Sequence, residues 1–87
     1  MKVSVWDTYV KRADDKIMHF DILVQNTVTD EQLIFGYGKK YLETKPFKTG
    51  ELSANECQFC HMEEAPEMVA KKIAKDGFYI IEMENCN

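Results

Sequence analysis

The segment Cys57-Gln58-Phe59-Cys60-His61 carries the residue types best suited to thiol or metal chemistry. Its C-x-x-C-H spacing matches the motif to which c-type haem is attached. We reject haem attachment, because that modification takes place outside the cytoplasm and the first residues of the chain lack the continuous apolar stretch of an export signal.

Two other chemistries remain open for this segment. A redox dithiol needs a thiol at a helix N-terminus, where Cys57 would lie, but the thioredoxin-like case also expects a strong preceding strand, and the sequence before Cys57 is a poor one. Zinc prefers four thiolate or imidazole ligands, and on a helix Cys57, Cys60 and His61 would share one face. Cys86 or His19 would complete that set. The simplest alternative is that the cysteines pack as small apolar groups and His61 ends the helix.

A second polar group consists of residues on two neighbouring predicted strands. Its members are Asp7, Thr8, Tyr9, His19 and Asp21. A carboxylate beside an imidazole can support general-base chemistry, but no nucleophile or oxyanion donor is identifiable nearby. We therefore expect a polar solvent-facing surface without catalytic residues.

These side chains depend on a predicted β-hairpin. Polar and apolar residues alternate from Lys2 to Val10 and again from Ile17 to Val24, with a short polar turn between them at Arg12–Lys16. If Asp14 and Asp15 form its tip, three cross-strand pairs follow: Tyr9 with Phe20, Thr8 with Asp21, and Asp7 with Ile22. This register places Asp7 on the apolar side of the strand, where its carboxylate needs a partner.

The rest of the chain predicts two longer helices and one strong strand. Thr29 and Gln32 form a capping-box pattern before a helix over Asp30–Leu42, in which Gly36 and Gly38 are unfavourable unless they let the helix approach the sheet closely. Pro66 and Gly77 bracket a second helix. The remaining predictions are at most a short strand at Glu51-Leu52, a short helix from Ala54 to His61 after a capping box formed by Ser53 and Glu56, and a central or nearly central strand at Phe78–Met83.

Together these elements predict one α+β domain over residues 1–87: a β-hairpin followed by α-β-α-β, with the helices packed on one face of a small sheet. A chain of this length has room for a single core. Most of its aromatic residues should therefore be structural.

Composition excludes several classes of partner. Eleven basic and fifteen acidic residues give a net charge of -4, which is the wrong sign for binding nucleic acid through its phosphates. No window approaches the roughly 18 apolar residues of a membrane span. Three cysteines, an odd number, argue against a disulfide framework, so we expect reduced thiols and a cytoplasmic protein.

Three motifs taken together resemble a known family. They are Val5-Trp6-Asp7-Thr8-Tyr9-Val10, Met18-His19-Phe20-Asp21 and Cys57-Gln58-Phe59-Cys60-His61, followed by the ending Met83-Glu84-Asn85-Cys86-Asn87. This combination resembles the short bacterial proteins of the domain of unknown function family DUF2024 over nearly the whole chain. The resemblance implies a stand-alone α+β protein and assigns no catalytic residue to any position.

We therefore expect a non-catalytic module that binds another protein or a small ligand and needs no cofactor. The alternative is a thiol or zinc site built from Cys57, Cys60 and His61, with Cys86 or His19 completing it. An acid–base enzyme that uses His19 and an aspartate is the weakest hypothesis. An exposed edge of the hairpin would also permit pairing with a second copy.

Overall fold

The computed structural model describes residues 1–87 and contains four strands and two helices. In chain order they are β1 (Lys2–Lys11), β2 (Ile17–Gln25), α1 (Glu31–Leu42), β3 (Cys57–Glu64), α2 (Glu67–Asp76) and β4 (Tyr79–Glu84). The strands form one sheet in the order β3-β1-β2-β4, and every neighbouring pair is antiparallel. The α+β class and the initial hairpin are confirmed. None of the helices is long and apolar enough to cross a membrane.

The hairpin register differs by one residue from the predicted one. Tyr9 lies opposite His19, Thr8 opposite Phe20 and Asp7 opposite Asp21. The turn causes the difference, because Arg12 N–H donates to the Lys16 carbonyl and Asp15 adopts a positive φ of 69°. A one-residue shift in register changes which side chains of the two strands lie on the same face of the sheet. Asp7, His19 and Asp21 therefore share one face.

The two helices pack on opposite faces of the sheet, so the prediction of a single helical face is wrong. On one face α1 covers Trp6, Phe20 and Ile22, and on the other α2 covers Val5 and Leu23. The physical reason is that the apolar residues of the hairpin do not all fall on one set of alternating positions. Both of its faces therefore carry buried residues. We call these the α1 face and the α2 face.

Segment 54–61 is a strand for most of its length, which corrects the predicted short helix. The capping-box contacts do form, since the Ser53 hydroxyl lies 2.6 Å from Oε1 of Glu56, but they close only one turn. β3 then pairs with the free edge of β1. Its sequence lacks strand alternation because all of its residues except Cys57 are exposed.

β4 is the other edge strand and not a central one. It pairs only with β2, and its apolar residues pack on both faces: Ile80 against the α1 side and Tyr79 and Ile81 against the α2 side. Two covered faces therefore explain the dense apolar run that suggested a central position.

The two longer helices lie where the sequence places them. α1 is capped by Asp30, whose Oδ1 accepts from Gln32 N–H at 3.0 Å, and α2 ends at Gly77 with φ 92°. Gly38 does allow close packing, because a Cβ there would lie 3.0 Å from Ile22 Cδ1 and would collide with Leu52 Cδ2. Gly36 has open space and no such role.

Candidate functional site

Asp7, His19 and Asp21 converge on the α2 face, beyond the part that α2 covers. His19 Nε2 lies 3.3 Å from Asp7 Oδ1 and 3.8 Å from Asp21 Oδ1. One candidate ligand atom from each of the three residues lies within 4.8 Å of the other two. We call these residues the Asp-His-Asp cluster.

The imidazole of the cluster is held in place by its neighbour across the hairpin. The Tyr9 ring stacks on His19 with centroids 4.1 Å apart and an interplanar angle of 9°. Stacking leaves His19 only 19% exposed at its side chain, and Asp21 is 15% exposed. The predicted solvated polar surface is in fact a half-buried cluster, because the observed register brings Asp7 to the same face as His19 and Asp21.

The two carboxyl groups of the cluster have pKa values that are shifted in opposite directions. Burial, followed by the neighbouring Asp7 carboxylate, raises the pKa of Asp21 to about 6. The interaction with Asp21 holds the pKa of Asp7 below its usual value, helped by His19. Two carboxylates this close resist carrying two negative charges in a partly desolvated place. The Oδ1 atom of Asp21 is buried and has no hydrogen-bond partner.

A β-bulge brings thiol and imidazole groups to the same face. Between Trp6, which pairs with Phe59, and Val5, which pairs with His61, the register shifts and Cys60 becomes the extra residue. Bulges re-aim side chains in this way. Cys60 therefore lies beside Asp7, whose carboxylate, after desolvation, raises the pKa of the thiol. The Cys60 Sγ is 3.1 Å from His61 Nδ1.

A second bulge lies on the opposite side of the cluster. β2 and β4 change register between His19 and Phe20, which pair with Glu84 and Glu82, so Met83 is the extra residue. Both irregularities of the sheet therefore flank the Asp-His-Asp cluster.

The structure does not assemble the predicted set of Cys57, Cys60, His61 and Cys86. Cys57 is buried in the α1-face core, whereas Cys60 is exposed on the other side of the sheet. Cys86 is also buried, and its thiol lies 3.4 Å from the His19 backbone carbonyl. A strand sends residues that are three apart to opposite faces, so the helical convergence of donors does not exist.

Thr8 also leaves the predicted polar group. It is fully buried on the α1 face opposite Phe20, and its hydroxyl donates to the Trp6 carbonyl at 3.3 Å. Cys60 takes its place beside the carboxylates. No pattern of residue types indicates this exchange, because it depends on the hairpin register and on the bulge in β3.

A shallow cavity of about 370 Å³ adjoins the cluster and is lined in part by Asp7, Tyr9, Gln58 and Cys60. A larger cavity of about 590 Å³ lies at the end of α1 along residues 45–52. Lys45 at its margin already pairs with Glu82 at 2.6 Å. We place the candidate site at the smaller cavity, because the Asp-His-Asp cluster adjoins it through Asp7.

Comparison with protein families matches residues 1–83 to the model described as "Domain of unknown function (DUF2024)". The chain belongs to the DUF2024 family. Its resemblance to that family, inferred from three motifs, is confirmed. A search of curated proteins finds no match. Among solved structures, the chain is similar to the NMR structure of protein NE1680 from Nitrosomonas europaea, with 36% sequence identity, complete coverage of both chains and a TM-score of 0.81. This DUF2024 member therefore shares the α+β fold of that bacterial protein.

Proposed function

We propose that the protein is a ligand-binding module whose ligand is a divalent cation of the Zn²⁺ class, held by Asp7, His19 and Asp21. The distances between their ligand atoms carry the proposal. In a tetrahedral zinc site with bonds of about 2.1 Å, neighbouring ligand atoms lie about 3.4 Å apart. His19 Nε2 is 3.3 Å and 3.8 Å from the two carboxylate oxygens, so small side-chain movements give that geometry.

The donor types support the same class of ion. Imidazole favours zinc and its transition-metal neighbours over magnesium or calcium, and two carboxylates supply the negative charge that compensates a divalent cation. The buried Oδ1 atom of Asp21 is an acceptor without a donor. A bound cation would satisfy this atom, which is otherwise costly to bury.

Cys60 and His61 are two groups beside the cluster that could complete the coordination. Cys60 contacts Asp7, and His61 lies beside Cys60. A thiolate is a strong zinc ligand, so Cys60 is the proposed fourth donor. The proposal therefore keeps Cys60 from the set expected from sequence and replaces Cys57 and Cys86 with the Asp-His-Asp cluster.

We place this activity in the cytoplasm of a bacterial cell. The three thiols of Cys57, Cys60 and Cys86 form no disulfide, which suits a reducing compartment. The similar protein NE1680 is from a bacterium.

The test is calorimetric titration of Zn²⁺ into chelator-stripped, untagged protein under a non-thiol reductant. We expect one ion per chain. His19→Ala and Asp21→Asn should each weaken binding by at least about 100-fold, since removal even of a supporting residue costs 10–100-fold. Cys60→Ser should weaken it by about tenfold.

Asp76→Asn is the matched control, because it makes the same charge change at the end of α2. It should leave zinc affinity unchanged. Retention of full affinity by both His19→Ala and Asp21→Asn would refute the proposed site. Loss of binding in Cys57→Ala, with His19→Ala unaffected, would restore the cysteine set instead.

A further inference from the structure

β3 leaves one side of its backbone without a partner. It is an edge strand, and its outer row of N–H and C=O groups faces no other strand. Two large apolar side chains of this strand are half exposed: Phe59 at 49% and Met62 at 48%. They pair with Trp6 and Ser4 of β1, so both lie on the α1 face.

The sequence of β3 is self-complementary when two copies run antiparallel about an axis between Cys60 and His61. The pairs are then Phe59 with Met62, Cys60 with His61, Gln58 with Glu63 and Cys57 with Glu64. The two exposed apolar side chains meet each other, and no two carboxylates face each other. Moving the axis to His61 would set Phe59 against Glu63.

The bulge at Cys60 makes this register sterically consistent. Directly opposed residues of an antiparallel pair point to the same side of the sheet. In a regular strand Phe59 and Met62, three residues apart, would point to opposite sides. Because Cys60 is an extra residue, both lie on the α1 face, and Cys60 and His61 both lie on the α2 face.

We propose that β3 is the surface through which two copies of this chain pair, antiparallel and centred between Cys60 and His61. Pairing joins two four-stranded sheets into one continuous sheet. It also sets His61 of the second copy opposite Cys60, next to the Asp-His-Asp cluster, so each copy contributes a side chain to the other's site. The interface is one strand wide and is therefore weak, as expected below about 1,200 Å² of buried surface.

The first test is sedimentation equilibrium of metal-free protein from low micromolar to millimolar concentration. We expect a reversible dimer, and Phe59→Lys should weaken its association by at least about tenfold because it removes both symmetry-related Phe59–Met62 pairs. Met83→Lys is the matched control, because Met83 is a similarly exposed apolar residue on the other edge strand. A monomer at every concentration, or equal weakening by both variants, would overturn the proposal.

The second test examines the register. In a Cys60→Ser background, the double variant Phe59→Cys, Met62→Cys should form a covalent dimer on mild oxidation, since opposed residues lie within disulfide reach. Because of the bulge, the two introduced thiols of one chain lie opposite Trp6 and Ser4, which are two strand residues or about 7 Å apart, so an intrachain disulfide would leave a monomer and only the covalent dimer band reports the register. Phe59→Cys alone should remain monomeric on reducing-agent-free gels. Equal dimer yield from the single variant would refute this register.

Because both tests use metal-free protein, their outcome is independent of zinc binding.

Discussion

Replacing Asp21 with asparagine should stabilise the metal-free protein at neutral pH. Asp21 is mostly buried, its Oδ1 atom has no hydrogen-bond partner, and it faces the Asp7 carboxylate. Asparagine has nearly the same shape without the charge, and its amide can donate to Asp7. The substitution therefore removes repulsion and desolvation cost at one position.

The magnitude follows from the raised pKa of Asp21, about 6 in the folded protein against an ordinary value of 3.8 for aspartate. At about 1.4 kcal/mol per pKa unit, this difference gives an upper limit of about 3 kcal/mol for the gain in the free energy of unfolding. The net gain is smaller than this limit, because the same interaction between the two carboxyl groups lowers the pKa of Asp7. We expect Asp21→Asn to raise the free energy of unfolding by about 1–2 kcal/mol at pH 7.5.

The pH dependence has a definite sign. Between pH 4 and pH 6 the folded chain holds a proton at Asp21 that the unfolded chain has lost, so the stability of the wild-type protein falls as pH rises through this window. The advantage of Asp21→Asn should therefore appear at pH 7.5 and largely vanish near pH 4.

Urea unfolding followed by Trp6 fluorescence measures both quantities, with Asp76→Asn as the charge-matched control. A variant less stable than wild type at pH 7.5, or a difference that does not change with pH, would refute the reasoning. Zinc supplies an independent readout, because a ligand that binds only the folded state should raise the stability of wild type and not that of Asp21→Asn.

Two other predictions concern packing and thiol access. Gly36→Ala should stabilise the protein by up to about 1 kcal/mol, since alanine is the better helix former and the position has open space. Gly38→Ala should destabilise the protein, because the added Cβ would collide with Leu52. Thermal unfolding of the two variants should therefore show opposite shifts in Tm. Titration with a thiol reagent should find one reactive cysteine, Cys60, in the native protein and three after denaturation, because Cys57 and Cys86 are buried; fast reaction of all three in native protein would contradict the structure.

The features recovered from sequence are those set by local chemistry. The hairpin, α1 and α2 have signals within a few residues, such as the Pro66 and Gly77 that bracket α2. The α+β class follows from these elements alone.

The features that sequence did not reveal depend on pairing between distant segments. β3 has no alternation because it is an exposed edge, and the residues just before it carry a genuine capping box at Ser53. This segment becomes a strand because it pairs with the free edge of β1.

The candidate site was divided between two hypotheses for the same reason. The register predicted from the turn differs by one residue from the observed one and sets Asp7 and His19 on different faces, and the predicted short helix groups Cys60 with Cys57. Register and bulges are set by turn conformation and cross-strand packing, and a pattern of residue types does not encode them directly.

The strand order β3-β1-β2-β4 also predicts the order in which the molecule assembles. The central hairpin joins neighbours in sequence, whereas β3 and β4 must find its two outer edges across long loops. Contacts of short sequence separation close at lower entropic cost, so the hairpin is the natural first unit to form. Asp7, His19 and Asp21 all belong to that hairpin, and Cys60 reaches them only when β3 docks. We therefore expect the acidic and imidazole groups to come together when the hairpin forms, and the thiol to join them when β3 docks.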